Sequence, residues 1–187
     1  MCIRDRLDNA HAQQKRYPLI VLGVDPGYRN LGLAVVRISP DGQTAEVLHS
    51  KSMSVGKATA PMAFTKFLWP ELMRLDTDYG PIDAVASETP PFIMGQIKTT
   101  AFLWAVSSII VAWSHAQDIP FRHASPISLK KAVCRALQKP WDRKFIPKKR
   151  EVKETIKLLL DTKLITSHEN DAALAALIMF SQLIPEK

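Results

Sequence analysis

Cysteine is almost missing from this chain of 187 residues. Cys2 and Cys134 are the only two, far apart and in no CxxC or Cys/His spacing. That excludes a disulfide framework or a zinc site as the organising principle and makes a reducing compartment the default. Glycine is scarce too, at seven residues. No Gly-rich loop that could cradle a nucleotide's phosphates can be drawn from them. This sets aside the actin and sugar-kinase type of ATPase, whose first strand also ends in Asp before a glycine turn. Long apolar runs are absent as well. The most apolar stretch, Thr100–Trp113, falls short of the ~20 residues of a spanning helix and is interrupted by Ser107 and Ser108. It reads as a buried core helix, and no membrane partner is expected. There is no internal repeat and no low-complexity segment. Residues 1–16 carry both charge signs and no apolar h-region, so they are not a secretory signal. They are expected to be a disordered extension or a gene-prediction artefact, with residues 17–187 forming a single domain.

What the chain has in excess is positive charge. Lys and Arg outnumber Asp and Glu by 25 to 18, for a net charge of +7 and a pI near 9.5. The balance points to a polyanionic partner, with nucleic acid ahead of a membrane surface. Residues 121–153 hold eleven Lys or Arg against Asp142 and Glu151 alone, nine net positive charges in one stretch. A run of this kind is ordinarily a solvated face. Apolar residues make up 47% of the chain, enough for a sizeable core.

Hydrophobic patterning predicts a meander followed by alternating strands and helices. The apolar run ending at Asp25 reads as a buried strand, broken by Pro26-Gly27. Residues 31–38 give a second strand, and 45–49 a third. Helical character runs over 61–76, with Pro70 expected to kink or split it. A short strand over 82–87 ends at Glu88. A helix over 97–116, a strand over 119–123, and helices over 128–137, 148–160 and 167–181 follow. The order predicts an α/β fold, a mixed sheet with helices packed on its faces.

Three acids stand where apolar elements end or begin: Asp25, Glu88 and Asp171. His168 lies three residues before Asp171, on the same helical face. A carboxylate closing an apolar strand is costly to bury without a partner, and several meeting at one sheet edge suggest a shared cation. Oxygen donors suit Mg²⁺ or Mn²⁺. Each also has an ordinary use: Asp before Pro-Gly forms turns, and Asp at a helix start complements the helix dipole.

The segment Gly23-Val24-Asp25-Pro26-Gly27, continuing to Gly32, resembles the opening hairpin of the RuvC-type Holliday-junction resolvases. The strand Ala84–Glu88 resembles the one that bears their second acid. The stretch His168-Glu169-Asn170-Asp171-Ala172-Ala173 is similar to their closing helix, with its D/H-x-x-D pair. The likeness covers roughly residues 19–181 and implies a ribonuclease-H-like fold with a five-stranded mixed sheet. It also implies two Mg²⁺ per site, replaceable by Mn²⁺, held by Asp25, Glu88, His168 and Asp171. The implied activity is a nick in each of two strands of a four-way junction, leaving 5′-phosphate and 3′-hydroxyl ends. By the same likeness Lys130 and Lys149 contact DNA, with Lys131, Lys148 and Arg150 beside them. Phe92 is placed as an aromatic wedge, although the Pro90-Pro91 pair departs from the family's pattern there and a core position is the competing reading. Trp141 is a second stacking candidate. A homodimer is implied, with the 97–116 helix as its face, and no small-molecule cofactor. The cytoplasm of a bacterial or phage-infected cell is the expected location, with an organelle left open. Competing readings are a related nuclease acting on RNA or other branched DNA, or a catalytically inactive DNA-binding homologue.

Overall fold

The computed structural model describes residues 17–27, 30–54, 61–92, 94–139, 148–160 and 166–180. Strand β1 (Leu19–Asp25) runs antiparallel to β2 (Asn30–Ile38), which runs antiparallel to β3 (Ala45–Ser54). Helix α1 (Pro61–Tyr79) leads to β4 (Ala84–Glu88), which returns parallel to β1. Helix α2 (Ile97–Ala116) leads to β5 (Phe121–Ala124), parallel to β4. Helices α3 (Pro126–Ala136), α4 (Lys149–Leu160) and α5 (Ser167–Phe180) follow. The five strands lie in the order β3-β2-β1-β4-β5, the mixed sheet that the alternation of elements predicts.

Helices cover both faces. Along β1, Leu22 and Val24 point to a core shared with Leu68 and Leu72 of α1 and Val106 and Ile110 of α2. Val21 points the other way, to a core built with α3, α4 and α5. Side chains alternate across a strand, so Gly23 and Asp25 share the second face with Val21.

That second face is paved with small residues: Ala34, Ala84 and Ala86 on the strands, and Ala172, Ala173, Ala175 and Ala176 on α5. The glycines make the approach closer still. A Cβ on Gly23 would lie 2.0 Å from the Ala172 carbonyl oxygen, and one on Gly32 would lie 2.1 Å from the carbonyl oxygen of His168. Helix α5 therefore rests on the strand backbones, which fixes its height and rotation over the ends of β1 and β4.

Two expectations needed correction. The third strand runs on to Ser54 rather than stopping at His49. It is an edge strand paired along the whole of β2, so backbone pairing carries it where hydrophobic alternation has faded. Pro70 does not split its helix, because α1 continues through it to Tyr79. Phe64 and Leu68 before the proline, and Leu72 and Leu75 after it, are all buried on the same core. The α2 helix, at 20 residues, is long and apolar enough to cross a membrane on length and composition alone. Its Val106, Ile110 and Trp113 are nonetheless fully buried against the sheet and α1, the place of a core helix.

Candidate active site

The ends of two neighbouring parallel strands place the first two acids. Val24 pairs with Ser87 in the last ladder step, and Asp25 and Glu88 come one residue later on the same sheet face. Helix α5 crosses above them and brings down His168 in its first turn and Asp171 at the start of its second. His168 Nδ1 lies 2.6 Å from Asp25 Oδ2, a hydrogen bond between residues 143 positions apart. The four residues selected from sequence thus lie near enough to act on one another's charge, with His168 and Asp25 in direct contact.

Their electrostatics show how crowded the negative charge is. Burial, then the neighbouring Asp25 and Asp171, push the Glu88 carboxyl up to about 8, against the opposing pull of Lys130 and His168. Burial and Asp25 push Asp171 up to about 7, with His168 and Lys149 opposing. The bond to Asp25 raises His168 above its ordinary value despite partial burial. Among the described residues no three His, Cys, Asp or Glu side chains converge as a ready cage for a metal ion; His168 turns onto Asp25 instead. An open cavity of about 150 Å³ adjoins the acids, with Glu88, Asp171 and Lys130 on its polar wall and Leu129, Val133 and Leu174 among its apolar lining.

These shifts give a pH dependence of one sign. An acid whose folded pKa is raised binds its proton more tightly when folded, so stability falls as pH rises from the unfolded value toward the folded one. For Glu88 that window runs from about 4.5 to about 8, and for Asp171 from about 3.8 to about 7. His168 adds stability below its unfolded value of 6.5 that is lost as pH rises through its raised folded value. All three act together, so calorimetry of the metal-free protein in EDTA should show melting temperature falling between pH 5 and pH 8. Glu88→Gln should flatten that fall, and an equal fall in both proteins would contradict the assignment.

The basic candidates divide into groups. Lys130 stands on α3, whose start is set by Ser125 accepting from the Ser128 N–H at 3.1 Å, with Pro126 in the first turn. Lys149 opens α4, and its Nζ lies 3.2 Å from Ser167 Oγ, one residue before His168. Lys130 bears on Glu88, and Lys149 on His168 and Asp171. Lys148 and Arg150 are exposed beside Lys149, and Lys131 is half-buried on α3. Two other members of the basic run are used within the fold. Arg122 lies over the Phe180 ring at 5.1 Å and donates to the Met179 carbonyl, while Lys139 pairs with Glu151. Arg143, Lys144 and Trp141 lie outside the described residues, as do residues 1–16.

Phe92 is 79% exposed, which overturns the reading of it as a core residue. Pro90, two residues before it, is buried, while Pro91 is exposed. Met94 and Ile97 are exposed close by in sequence. Sequence reasoning missed Gly23 and Gly32, although a glycine inside a strand signals close backbone approach. It also missed Glu169, a buried acid next to His168 that accepts from Ser50 Oγ of β3 at 3.1 Å and helps seat the helix.

No protein-family model matches the chain. Solved structures do match. Thermus thermophilus RuvC in complex with a Holliday junction superposes with a TM-score of 0.68 at 20% identity, over 86% of this chain and 92% of that one. The fold is that of the RuvC-type resolvases. The yeast mitochondrial Holliday junction resolvase shares it, with a TM-score of 0.62 at 16% identity over 95% of this chain and 84% of that one. So does the fowlpox virus resolvase in complex with junction DNA, at 0.54 and 14% over 87% and 97%. The resolvase fold therefore extends over nearly the whole of this chain and of each of those proteins.

Proposed function

We propose that the chain is a structure-selective DNA endonuclease that nicks four-way junctions symmetrically by phosphodiester hydrolysis, leaving 5′-phosphate and 3′-hydroxyl ends. The observation that carries this reading is the grouping of Asp25, Glu88, His168 and Asp171 from three separate segments at the C-terminal ends of β1 and β4. Three solved proteins of the same fold are Holliday-junction resolvases by name, two of them bound to junction DNA.

The donor set fits a divalent cation. Burial and the neighbouring Asp25 charge raise the proton affinity of Glu88 and Asp171, a strain that Mg²⁺ would relieve, and oxygen with one imidazole suits Mg²⁺ or Mn²⁺. Asp25, Glu88, His168 and Asp171 would hold two such ions, which when bound supply electrostatic stabilisation of the phosphoryl oxygens and a more acidic attacking water. Asp25 holds the His168 ring through Nδ1, which fixes the ring's orientation and leaves Nε2 as the nitrogen for a metal or a water. Lys130 and Lys149 take phosphates on either side of the cut, giving affinity and register rather than sequence reading. Phe92, outside the core, stacks on a base at the crossover. A junction offers two symmetric strands, so the active form is a two-fold dimer, with the exposed uncharged stripe of α2 at Ala101, Trp104, Ser108 and Ala112 as its face.

Purified protein with Mg²⁺ should cut a synthetic four-way junction at paired positions and leave linear duplex and RNA–DNA hybrid largely intact. Hybrid cut in preference to junction would move the assignment to an RNA-directed nuclease. A second measurement isolates the lysines. Lys130→Ala with Lys149→Ala should weaken junction binding and lower the slope of log K against log salt by roughly 1.8. Single-turnover rate at saturating protein should change less, since neither lysine is a metal ligand. A slope and rate both equal to wild type would remove the pair from the DNA surface.

A further inference from the structure

Glu151 stands in the middle of the basic stretch, yet it is only 8% exposed. Its two carboxylate oxygens have separate partners. Oε1 takes the Lys139 ammonium, just beyond the end of α3, and Oε2 accepts the Lys148 backbone N–H at 2.7 Å, one residue before α4. One buried acid therefore ties the chain leaving α3 to the first turn of α4. The residue that opens α4 is Lys149, whose Nζ reaches Ser167 Oγ beside His168. Glu151 also sits at the third helical position, where an acid bonded back to the N-terminal N–H closes half of a capping box.

We propose that Glu151 is a positioning residue of the DNA-binding surface, fixing the first turn of α4 so that Lys149 is held beside the acid cluster. The inference rests on the junction-cleaving reading of that cluster. Its content is counter-electrostatic. By charge alone, an acid within a basic face weakens a polyanion's binding, and removing it should strengthen binding and steepen its salt dependence. By position, removing it frees Lys149 to wander, and a lysine that must be ordered on binding contributes less affinity.

The test is Glu151→Gln, which removes the charge pair with Lys139 and keeps an amide oxygen for the Lys148 N–H. The full chain is titrated against a labelled four-way junction and a linear duplex in EDTA, so that no cutting intervenes. We expect the junction Kd to rise about tenfold. Added to Lys149→Ala, the same change should cost little more, because its effect runs through that lysine. Binding equal to or tighter than wild type would falsify the proposal, and so would losses that simply add in the double variant. Wild-type protein that binds junction and duplex alike would overturn the junction reading instead, with the same comparison then made on duplex. If circular dichroism shows Glu151→Gln unfolded, Lys139→Gln takes its place in the cycle. Lys139 is 44% exposed, and its loss leaves the Lys148 bond intact; the same non-additivity with Lys149→Ala is then required.

Discussion

Asp25→Asn should stop Mg²⁺-dependent junction cutting while leaving junction binding close to wild type. Asp25 is the hub of the acid cluster: it holds His168 at 2.6 Å, and its charge bears on both Glu88 and Asp171. The substitution keeps the side chain's shape and removes its charge, so a carboxylate is lost from the proposed metal site with little change of volume. A loss on the order of 10³-fold or more in single-turnover rate, about 4 kcal/mol of barrier, is expected. Affinity should hold because the proposed phosphate contacts are Lys130 and Lys149, not the acids. Single-turnover cleavage and a binding titration in EDTA read the two quantities separately. Cutting at the wild-type rate would remove Asp25, and with it the whole metal assignment. Parallel loss of binding would make Asp25 a structural residue.

Gly23→Ala should be among the most destabilising single-methyl changes available to this chain. The added carbon would lie 2.0 Å from the carbonyl oxygen of Ala172 and 3.2 Å from the Ala176 Cβ. Backbone, rather than a side chain that could rotate away, is the obstacle. Helix α5 must then lift from β1, opening the core that Ala172 and Ala176 share with the sheet. Overpacking of this kind costs about 3 kcal/mol or more, a fall in melting temperature of roughly 6–12 °C for a domain of this size. Since α5 carries His168 and Asp171, whatever protein stays folded should also lose activity. Thermal melts followed by circular dichroism decide it, and an unchanged melt would mean that α5 does not rest on the β1 backbone.

Much of this architecture was legible in the residues because local chemistry and global packing agree. The apolar run into Asp25, the turn at Pro26-Gly27 and the short strand into Glu88 carry their own boundaries. The His168–Asp171 spacing puts both on one helical face whatever else the helix does. What stayed hidden depends on neighbours remote in sequence. The second half of β3 has no hydrophobic alternation, since pairing with β2 holds it in place. Pro70 is tolerated because four buried side chains pin α1 on both sides of it. The charge census of residues 121–153 could not tell Lys149, directed toward the acids, from Lys139, turned onto Glu151. Nor could it show that Arg122 is occupied by Phe180. Phe92 had two equal readings from sequence, and its exposure removes the core one.

The seating of α5 on the hairpin's glycines also sets when the cutting centre can exist. Asp25 and Glu88 lie in the earlier elements, while His168 and Asp171 arrive on the last of the described helices. A chain emerging from the ribosome can pair its strands and bury α1 and α2 before that helix has been made. Through that interval half of the cluster is missing, and the hairpin glycines wait uncovered. The chemistry proposed for this chain would thus be latent until α5 docks, and would switch on in the same event that closes the core on that face of the sheet.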